Sequence, residues 1–311
     1  MPKIITVGEV LVEIMGKSKN QTFRETGEFT GPFPSGAPAI FIDQAAKMGG
    51  ETGMISVIGN DDFGQINKLR LEKDGVDTSQ ILISKDKTTA IAFVVYKDSG
   101  DRDFIFTMKD SALIELDYSK INKDYFKNCE YFHIMGCSIF NDNMIEIFSN
   151  LIPFLKSKGI KISFDPNFRK EFMENPKIKT LIMNILENAD IFLPGEQELL
   201  DLTGLTSEED AIKDLQSKGV EIIVVKRGSR GATLYNNGQR NDIEAVKVSE
   251  IDPTGAGDCF GGTFVSLVSQ GVDLEKALTY ANLAGAYSVT KQGPMEGNLT
   301  KEEIEFMDFN F

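Results

Sequence analysis

The chain has 311 residues, of which 41% are hydrophobic and 26% charged, so it can fold around a large apolar core. Its 47 acidic residues outnumber 33 Lys and Arg residues, and the net charge of −14 disfavours nucleic acids and anionic membranes as partners. Three cysteines without a CxxC spacing predict neither a disulfide framework nor a zinc site, and they are typical of a reducing, cytoplasmic compartment.

Short apolar runs alternate with helical patterns, which predicts a mostly parallel sheet covered by helices. The first run is typical of a strand rather than a signal peptide, and no apolar window is long enough to span a membrane. We predict strands at Ile4–Gly8, Gly53–Ile58, Tyr131–Met135, Ile160–Phe164, Ile191–Leu193 and Glu221–Lys226. We predict helices at Ala37–Met48, Phe63–Asp74, Asn143–Lys158, Lys177–Asn188, Gly195–Leu202, Gly257–Gln270 and Leu274–Lys291.

Two segments interrupt this rhythm with the alternation of polar, aromatic and β-branched residues that is typical of hairpins. They are Thr22–Pro34 and Thr88–Thr107, and the second contains the turn signal Asp98-Ser99-Gly100-Asp101. We expect one domain over residues 1–311, with a small lid formed by about 12–34 and 88–107. Surface excursions without a function are the alternative interpretation.

The most informative segment is a glycine-rich turn, Ile251-Asp252-Pro253-Thr254-Gly255-Ala256-Gly257-Asp258, which leads into an amphipathic helix. Its glycines leave backbone N–H groups accessible, and with the helix dipole these groups make an anion site. We expect these surroundings to keep Asp258 ionised, as a general base that faces a substrate hydroxyl and a phosphoryl group. The alternative is that Asp258 only caps the helix.

Other nucleotide and nucleophile motifs are absent from the sequence. There is no Walker A loop, and Gly8-Glu9-Val10 follows the first strand where a dinucleotide-binding protein has GxGxxG. The single histidine, His133, lies in an apolar strand, where a core residue is the more common interpretation, and no GxSxG elbow accompanies it. These absences disfavour P-loop NTPases, classical dehydrogenases and serine hydrolases.

Asp252-Pro253-Thr254-Gly255-Ala256-Gly257-Asp258-x-Phe260-x-Gly262 resembles the C-terminal signature of the ribokinase-like (PfkB) carbohydrate kinases. Ser35-Gly36-Ala37-Pro38-Ala39 is similar to the N-terminal signature of that family. Asp165-Pro166-Asn167-Phe168-Arg169 resembles a segment of the fructokinase and ketodeoxygluconate kinase branches. Further similar blocks, in the order of the family, stand at residues 45–49, 59–64, 75–77, 226–231 and 281–286. The resemblance therefore runs nearly end to end.

The resemblance implies a ribokinase-like α/β fold, a Rossmann-like three-layer sandwich with a small β-strand lid. It also implies transfer of phosphate from ATP to a hydroxyl of a small sugar or sugar acid, with Mg²⁺ and, left open, a monovalent cation such as K⁺. Asp258 would deprotonate the hydroxyl, the N–H groups of residues 255–257 would stabilise the phosphate charge, and Arg169 would bind the sugar or the phosphate.

The resemblance assigns the remaining site residues to a nucleotide side and a sugar side of the site. The nucleotide side comprises Lys226, Gly228, Ser229, Gly231, Thr254, Asn282 and Ala286. The sugar side comprises Glu13, Gly36, Ala37, Arg102 and Asp258. The catalytic set comprises Asp258, Gly255, Ala256, Gly257 and Arg169, and Glu198 is expected to order magnesium. A solvated surface charge is an equally acceptable interpretation of Arg102, and a surface salt bridge is the alternative for Arg169.

Three positions depart from the family pattern. Gly195 replaces the Asn of its NxxE motif, Ile40 replaces a sugar-binding Asn, and Glu13 replaces a sugar-binding Asp. The tagatose kinase, fructokinase and ketodeoxygluconate kinase branches are the most similar, with Thr30–Gln44 resembling tagatose kinases, so a ketohexose and a keto sugar acid both stay open. We expect a homodimer paired through the lid. The alternative functions are a non-catalytic nucleotide- or sugar-binding protein of this fold and, more remotely, a dehydrogenase.

Overall fold

The computed structural model describes residues 1–99, 101–167 and 175–307, and these residues form two β-sheets with helices packed against the larger one. The described strands are β1 (Ile4–Val7), β2 (Leu11–Gly16), β3 (Phe29–Ser35), β4 (Thr52–Gly59), β5 (Asp77–Ser84), β6 (Ala90–Tyr96), β7 (Arg102–Phe106), β8 (Tyr131–Met135), β9 (Lys161–Asp165), β10 (Ile191–Phe192), β11 (Ile222–Lys226), β12 (Ala232–Asn236) and β13 (Gln239–Ile243). The described α-helices are α1 (Ala37–Lys47), α2 (Asp62–Lys73), α3 (Asp142–Ser157), α4 (Pro176–Asn188), α5 (Glu196–Thr203), α6 (Glu208–Ser217), α7 (Ala256–Ser269), α8 (Leu274–Ser288) and α9 (Lys301–Phe306).

The larger sheet has the strand order β13-β12-β11-β10-β9-β8-β1-β4-β5. Its strands pair in parallel from β5 to β11, and β12 and β13 continue the edge as an antiparallel hairpin. Parallel strands joined by helices place all their carboxyl ends at one edge of a sheet, which is where open α/β folds bind ligands.

Alternate residues of the strands point into two separate cores, because side chains on a strand alternate between its faces. In β4, Met54 and Ile58 pack with α1, α2 and α7–α9, whereas Ile55 and Val57 pack with α3–α6. The larger sheet is therefore the middle layer of three, as the predicted three-layer sandwich requires. No helix of the described residues is long and apolar enough to cross a bilayer.

The predicted strands of the larger sheet and the predicted helices are confirmed. Their observed ends differ from the predicted ends by at most three residues. Strand β5, helices α6 and α9 and the β12–β13 hairpin were not predicted from the sequence. The sequence does contain a signal for that hairpin. Asn237-Gly238 forms a two-residue turn in which both residues have positive φ, 48° and 76°. Asn-Gly is the strongest short hairpin signal in a sequence.

The smaller sheet has the order β3-β2-β6-β7, with β2 and β6 parallel and the other pairs antiparallel. The prediction of a strand from Thr22 was wrong, because β3 begins only at Phe29 and residues 22–28 form turns and irregular backbone rich in charge. The partner of β3 is instead β2, which continues the chain from the end of β1. Whether this sheet acts as a lid, within one domain, stays a prediction.

Candidate active site

A cleft of about 1220 Å³ opens at the carboxyl ends of β1, β8, β9, β10 and β11, between the larger sheet, the smaller sheet and the N-terminus of α7. The side chains and backbone that line it come from segments far apart in the sequence. Among the described residues they are Glu9, Leu11, Glu13, Ser35, Gly36, Ala37, Ile40, Ala92, Arg102, Asp103, Phe104, Phe106, Met108, Lys109, Cys137, Phe140, Asp165, Asn167, Gly195, Glu198, Lys226, Pro253, Thr254, Gly255, Ala256, Gly257 and Asp258.

The glycine-rich turn ends at Gly255, the N-cap of α7, with φ of 80°. A Cβ atom there would lie 2.6 Å from the Pro294 carbonyl oxygen, so both the backbone conformation and the packing require glycine. The first intrahelical bond runs from the Cys259 N–H to the Gly255 carbonyl at 2.8 Å. The N–H groups that precede it at the helix end have no intrahelical acceptor and line the cleft, which makes an anion site.

Asp258 lies in the first turn of α7, and its buried carboxylate faces the cleft. Asn167 donates a hydrogen bond from Nδ2 to its Oδ1 at 3.1 Å. In the described part of the chain no helix N–H donates to this carboxylate, so the structure does not support a capping role.

The helix end was expected to favour the ionised form of Asp258, but the surroundings as a whole act in the opposite direction and raise its pKa. Burial, and then the neighbouring carboxylate of Asp165, raise the pKa of Asp258 well above its usual range, although Lys226 acts in the opposite direction. Helix dipoles favour a carboxylate, but desolvation disfavours its charged form more strongly here. A raised pKa suits a general base, which works best when its pKa approaches the working pH.

An ion pair lies beside Asp258 at the ends of β9 and β11. Lys226 donates from Nζ to Asp165 Oδ2, and both side chains are largely shielded from water. Burial raises the pKa of Asp165 to about 6 despite this partner. The other oxygen, Asp165 Oδ1, is buried with no hydrogen-bond partner among the described residues. A buried acceptor of this kind can take a hydrogen bond or a cation from a ligand.

Glu198 lines the same end of the cleft, in the first turn of α5. The Gly195 N–H donates to Glu198 Oε2 at 2.7 Å, so the backbone itself orients this carboxylate. Residues 1–99, 101–167 and 175–307 contain no group of three or more His, Cys, Asp or Glu side chains arranged to hold a metal ion.

The smaller sheet contacts the glycine-rich turn through two side chains. The Tyr96 hydroxyl lies 2.9 Å from Asp252 Oδ1 and 3.1 Å from Thr254 Oγ1, and Arg102 donates from Nη1 to the same Oγ1 at 3.2 Å. Asp252 also accepts from the backbone N–H groups of Thr254 and Gly293, at 3.0 and 2.9 Å. The turn that forms the anion site is therefore attached to β6 and β7.

Another part of the cleft is bounded by Glu9, Glu13, Ser35, Gly36 and Cys137. Ser35 donates from Oγ to Glu13 Oε2 at 3.1 Å. Gly36, with φ of 111°, lies directly against the backbone of Glu9, where a side chain would collide with the Glu9 carbonyl. Main-chain packing therefore requires glycine at this position, independently of any contact with a ligand.

The structure brings most predicted site residues together and leaves a few elsewhere. Those that line the cleft are Glu13, Gly36, Ala37, Arg102, Glu198, Lys226, Thr254, Gly255, Ala256, Gly257 and Asp258. Those outside its lining are Gly228, Ser229, Gly231, Asn282 and Ala286; of these, Asn282 donates from Nδ2 to the Glu244 carbonyl at 2.9 Å. Arg169 lies outside the described residues.

Glu9, Asn167 and Cys137 line the cleft but were not predicted as cleft residues, and Asp165 was given no role. Asp165 ends a parallel strand, and the other three each lie two residues beyond the end of one. That position was available as a signal, because binding residues of open α/β sheets lie at the carboxyl ends of strands. His133 is a core residue as predicted, fully buried and hydrogen-bonded through Nδ1 to Ser163 Oγ at 2.7 Å.

Comparisons with known proteins give one consistent family. The model of the pfkB family of carbohydrate kinases matches residues 1–301. Fructokinase-1 of Oryza sativa subsp. japonica is 29% identical over 310 residues, which cover 97% of this chain and 96% of the relative.

Solved structures of similar proteins match this chain over nearly its full length. An E. coli protein provisionally named ribokinase II, in complex with ATP and Mg²⁺, is 44% identical with a TM-score of 0.94 over 98% of each chain. A double-mutant fructokinase of Vibrio cholerae, bound to fructose, ADP and a potassium ion, is 26% identical with a TM-score of 0.86, covering 98% of this chain and 97% of that one. The ribokinase-like fold expected from the sequence is confirmed.

Proposed function

The chain belongs to the pfkB family of carbohydrate kinases, and from this premise we propose that it transfers the γ-phosphoryl group of ATP to a hydroxyl of a ketohexose or keto sugar acid in the cytoplasm. The observation that carries the proposal is a buried carboxylate, Asp258, in the same helical turn as the backbone N–H groups of an anion site. A proton acceptor beside bound phosphate is what phosphoryl transfer to an alcohol requires.

In the proposed reaction Asp258 accepts the proton of a sugar hydroxyl while that oxygen attacks the γ-phosphorus. The bond from phosphorus to the ADP oxygen breaks, and the products are ADP and a sugar phosphate. The N–H groups of Gly255, Ala256 and Gly257 stabilise the charge on the transferring group, since donors fixed in advance need no reorganisation during the reaction. Asn167 positions Asp258 through its hydrogen bond.

The nucleotide is proposed to lie on the side of Lys226 and Thr254, which line the cleft next to the anion site. The residues proposed to extend this side toward the adenosine are Gly228, Ser229, Gly231, Asn282 and Ala286. Arg169 is proposed to contact the sugar or the transferring phosphoryl group.

The cleft also fits a magnesium ion that accompanies the nucleotide. The buried Asp165 Oδ1 has no hydrogen-bond partner in the described part of the chain, and Glu198 lines the same end. Protein sites commonly hold Mg²⁺ through one or two carboxylates, substrate phosphates and water, and the ion then neutralises phosphate charge. A monovalent cation such as K⁺ is a further proposal, supported by the potassium ion of the Vibrio cholerae fructokinase.

The smaller sheet is proposed to act as a lid that excludes water from the cleft. This proposal is supported by the contacts of Tyr96 and Arg102 with the turn of the anion site. Water exclusion limits wasteful hydrolysis of ATP and strengthens the electrostatic interactions inside.

The test is ADP release from ATP and Mg²⁺ across a panel of tagatose, fructose, ribose, 2-keto-3-deoxygluconate and nucleosides. We expect one ketohexose or keto sugar acid to stimulate release strongly, and Asp258→Asn to abolish the stimulation. ATP binding without stimulation by any sugar of the panel would instead favour a non-catalytic binding protein.

A further inference from the structure

The glycine-rich turn of the anion site leans on a stretch of turns and irregular backbone between α8 and α9, residues 293–299, which we call the supporting loop. The Gly293 N–H donates to Asp252 Oδ2 at 2.9 Å. The Pro294 carbonyl oxygen occupies the space in which a side chain at Gly255 would lie. The position of the anion site therefore depends on the position of this loop.

All but one residue of the supporting loop is buried, and buried backbone outside helices and strands needs hydrogen-bond partners from side chains. Gln44 of α1 provides two of them. Its Oε1 accepts from the Leu299 N–H at 3.0 Å, and its Nε2 donates to the Leu299 carbonyl at 3.0 Å. The same Nε2 donates to Thr263 Oγ1 at 2.9 Å, and Thr263 belongs to α7. One side chain thus joins α1, α7 and the supporting loop.

The neighbouring side chain on α1, Asp43, holds the loop at two further points, one directly and one through α2. Asp43 is fully buried, and its Oδ2 accepts from Asn298 Nδ2 at 2.7 Å and from Arg70 Nη2 at 3.3 Å. Arg70, on α2, also donates from Nη2 to the Met295 carbonyl at 2.7 Å. Two helices of the larger sheet are therefore tied to the supporting loop.

We infer that Asp43, Gln44 and Arg70 are positioning residues for phosphoryl transfer, because they fix the supporting loop against the turn that forms the anion site. None of the three lines the cleft, so they act on the reaction only through the loop. Backbone donors stabilise developing charge only where they are held in place, and a displacement of about 1 Å can lower a rate by about a hundredfold. The inference rests on the proposed function and adds residues remote from the cleft to it.

The experiment removes these hydrogen bonds without removing the volume of the side chains. Asp43→Leu and Gln44→Met each replace a polar side chain by an apolar one of similar size. We expect kcat to fall by about ten- to hundredfold in both variants, measured at a temperature at which each is folded. The dissociation constant of the sugar should stay unchanged, because its side of the cleft keeps its residues. A purely structural role would instead lower the free energy of unfolding and leave kcat of the folded enzyme intact.

Asp43→Asn is the conservative variant at the same position, and we expect it to retain kcat close to the wild-type value. It keeps one oxygen for the donors of Asn298 and Arg70. It places an NH₂ group at the other oxygen, Oδ1, which is buried with no hydrogen-bond partner among the described residues. Loss of the charge should matter little, since burial raises the pKa of Asp43 to about 7 although Arg70 acts in the opposite direction.

Thr6→Val is the matched control for the loss of a buried hydrogen bond. Thr6 is fully buried in β1, and its Oγ1 donates to the His133 carbonyl of β8 at 3.0 Å. We expect this variant to unfold at a lower temperature than the wild type and to keep its kcat.

Wild-type kcat in both Asp43→Leu and Gln44→Met would overturn the inference, and so would an equal loss of kcat in Thr6→Val or in Asp43→Asn. If Asp43→Leu does not fold, Gln44→Met decides, because it leaves the contacts of Asp43 in place. If the wild type binds ATP and Mg²⁺ but phosphorylates no sugar, the proposed function fails, and calorimetry with ATP and Mg²⁺ tests the inference alone. Severalfold weaker ATP binding by Gln44→Met than by Thr6→Val then supports it, whereas equal binding overturns it.

Discussion

Asp258 is a carboxylate in the first turn of a helix, and it is buried. Replacing it with Asn keeps its shape but removes the ability to accept a proton. We expect Asp258→Asn to lower turnover by ~10²–10⁴-fold, the usual contribution of a general base, while ATP affinity is retained.

The matched control is Asp103→Asn, which removes a carboxylate from the same cleft at a place where its partner is Lys97, at 2.9 Å. Turnover of this control should stay within about threefold of the wild type, as is usual for an exposed salt bridge. Near-normal turnover by Asp258→Asn would show that another group accepts the proton.

The pH profile of kcat/KM reports the ionisation of Asp258, because only the ionised form accepts a proton. Its pKa is raised by burial and by Asp165, so activity should be lost, as the pH falls, at a pH above the ordinary carboxyl value of about 4. Glu9 also raises this pKa, and Glu9→Gln should therefore move the acidic limb to lower pH. A limb near pH 4 in the wild type, or one that Glu9→Gln leaves in place, would contradict this description of the site.

At the scale of elements, the connection between β6 and the glycine-rich turn depends on the Tyr96 hydroxyl, which contacts both Asp252 and Thr254. Tyr96→Phe should lower kcat/KM by roughly five- to tenfold, because one hydrogen bond contributes about 1 kcal/mol. It should also raise the share of ATP that is hydrolysed without sugar, if the smaller sheet excludes water.

Tyr125→Phe provides the matched control, since the Tyr125 hydroxyl donates to the Asp77 carbonyl at 3.0 Å, outside the cleft lining. Equal losses of kcat/KM in the two variants would mean that the smaller sheet has no specific connection to catalysis. Rates of ADP and inorganic phosphate release, measured in parallel, distinguish these outcomes.

The sequence predicted elements well where local chemistry determines them. The glycine-rich turn before α7 follows from its glycines, and the anion site follows from the helix that begins there. The ionisation of Asp258 was not predictable, because Asp165 and Glu9 reach it from separate strands and burial outweighs the helix dipole. Glu9 illustrates the same limit, since nothing in Gly8-Glu9-Val10 indicates that Gly36 and Ser138 will enclose it.

At the scale of the whole molecule, the outer strand of the smaller sheet, β7, exposes an apolar side chain, with Ile105 47% exposed. Exposed apolar edge strands favour pairing with another chain. We expect sedimentation to give about twice the 34.4 kDa of one chain, and Ile105→Lys to give the mass of a monomer.

Ile83→Lys is the control for this prediction, because Ile83 is 53% exposed on β5, the edge strand of the larger sheet. It should leave the mass unchanged. A monomeric wild type, or dissociation caused equally by both substitutions, would contradict pairing through the smaller sheet.

The proposed role of Asp258 is to accept the proton of a sugar hydroxyl as that oxygen attacks the γ-phosphorus of ATP. The most direct measurement is ³¹P NMR of the products formed from ATP, Mg²⁺ and the preferred sugar. We expect one sugar phosphate ester for each ADP in the wild type, and neither product within the same reaction time with Asp258→Asn. Release of ADP with inorganic phosphate in place of the ester, or ester formation by Asp258→Asn at the wild-type rate, would contradict it.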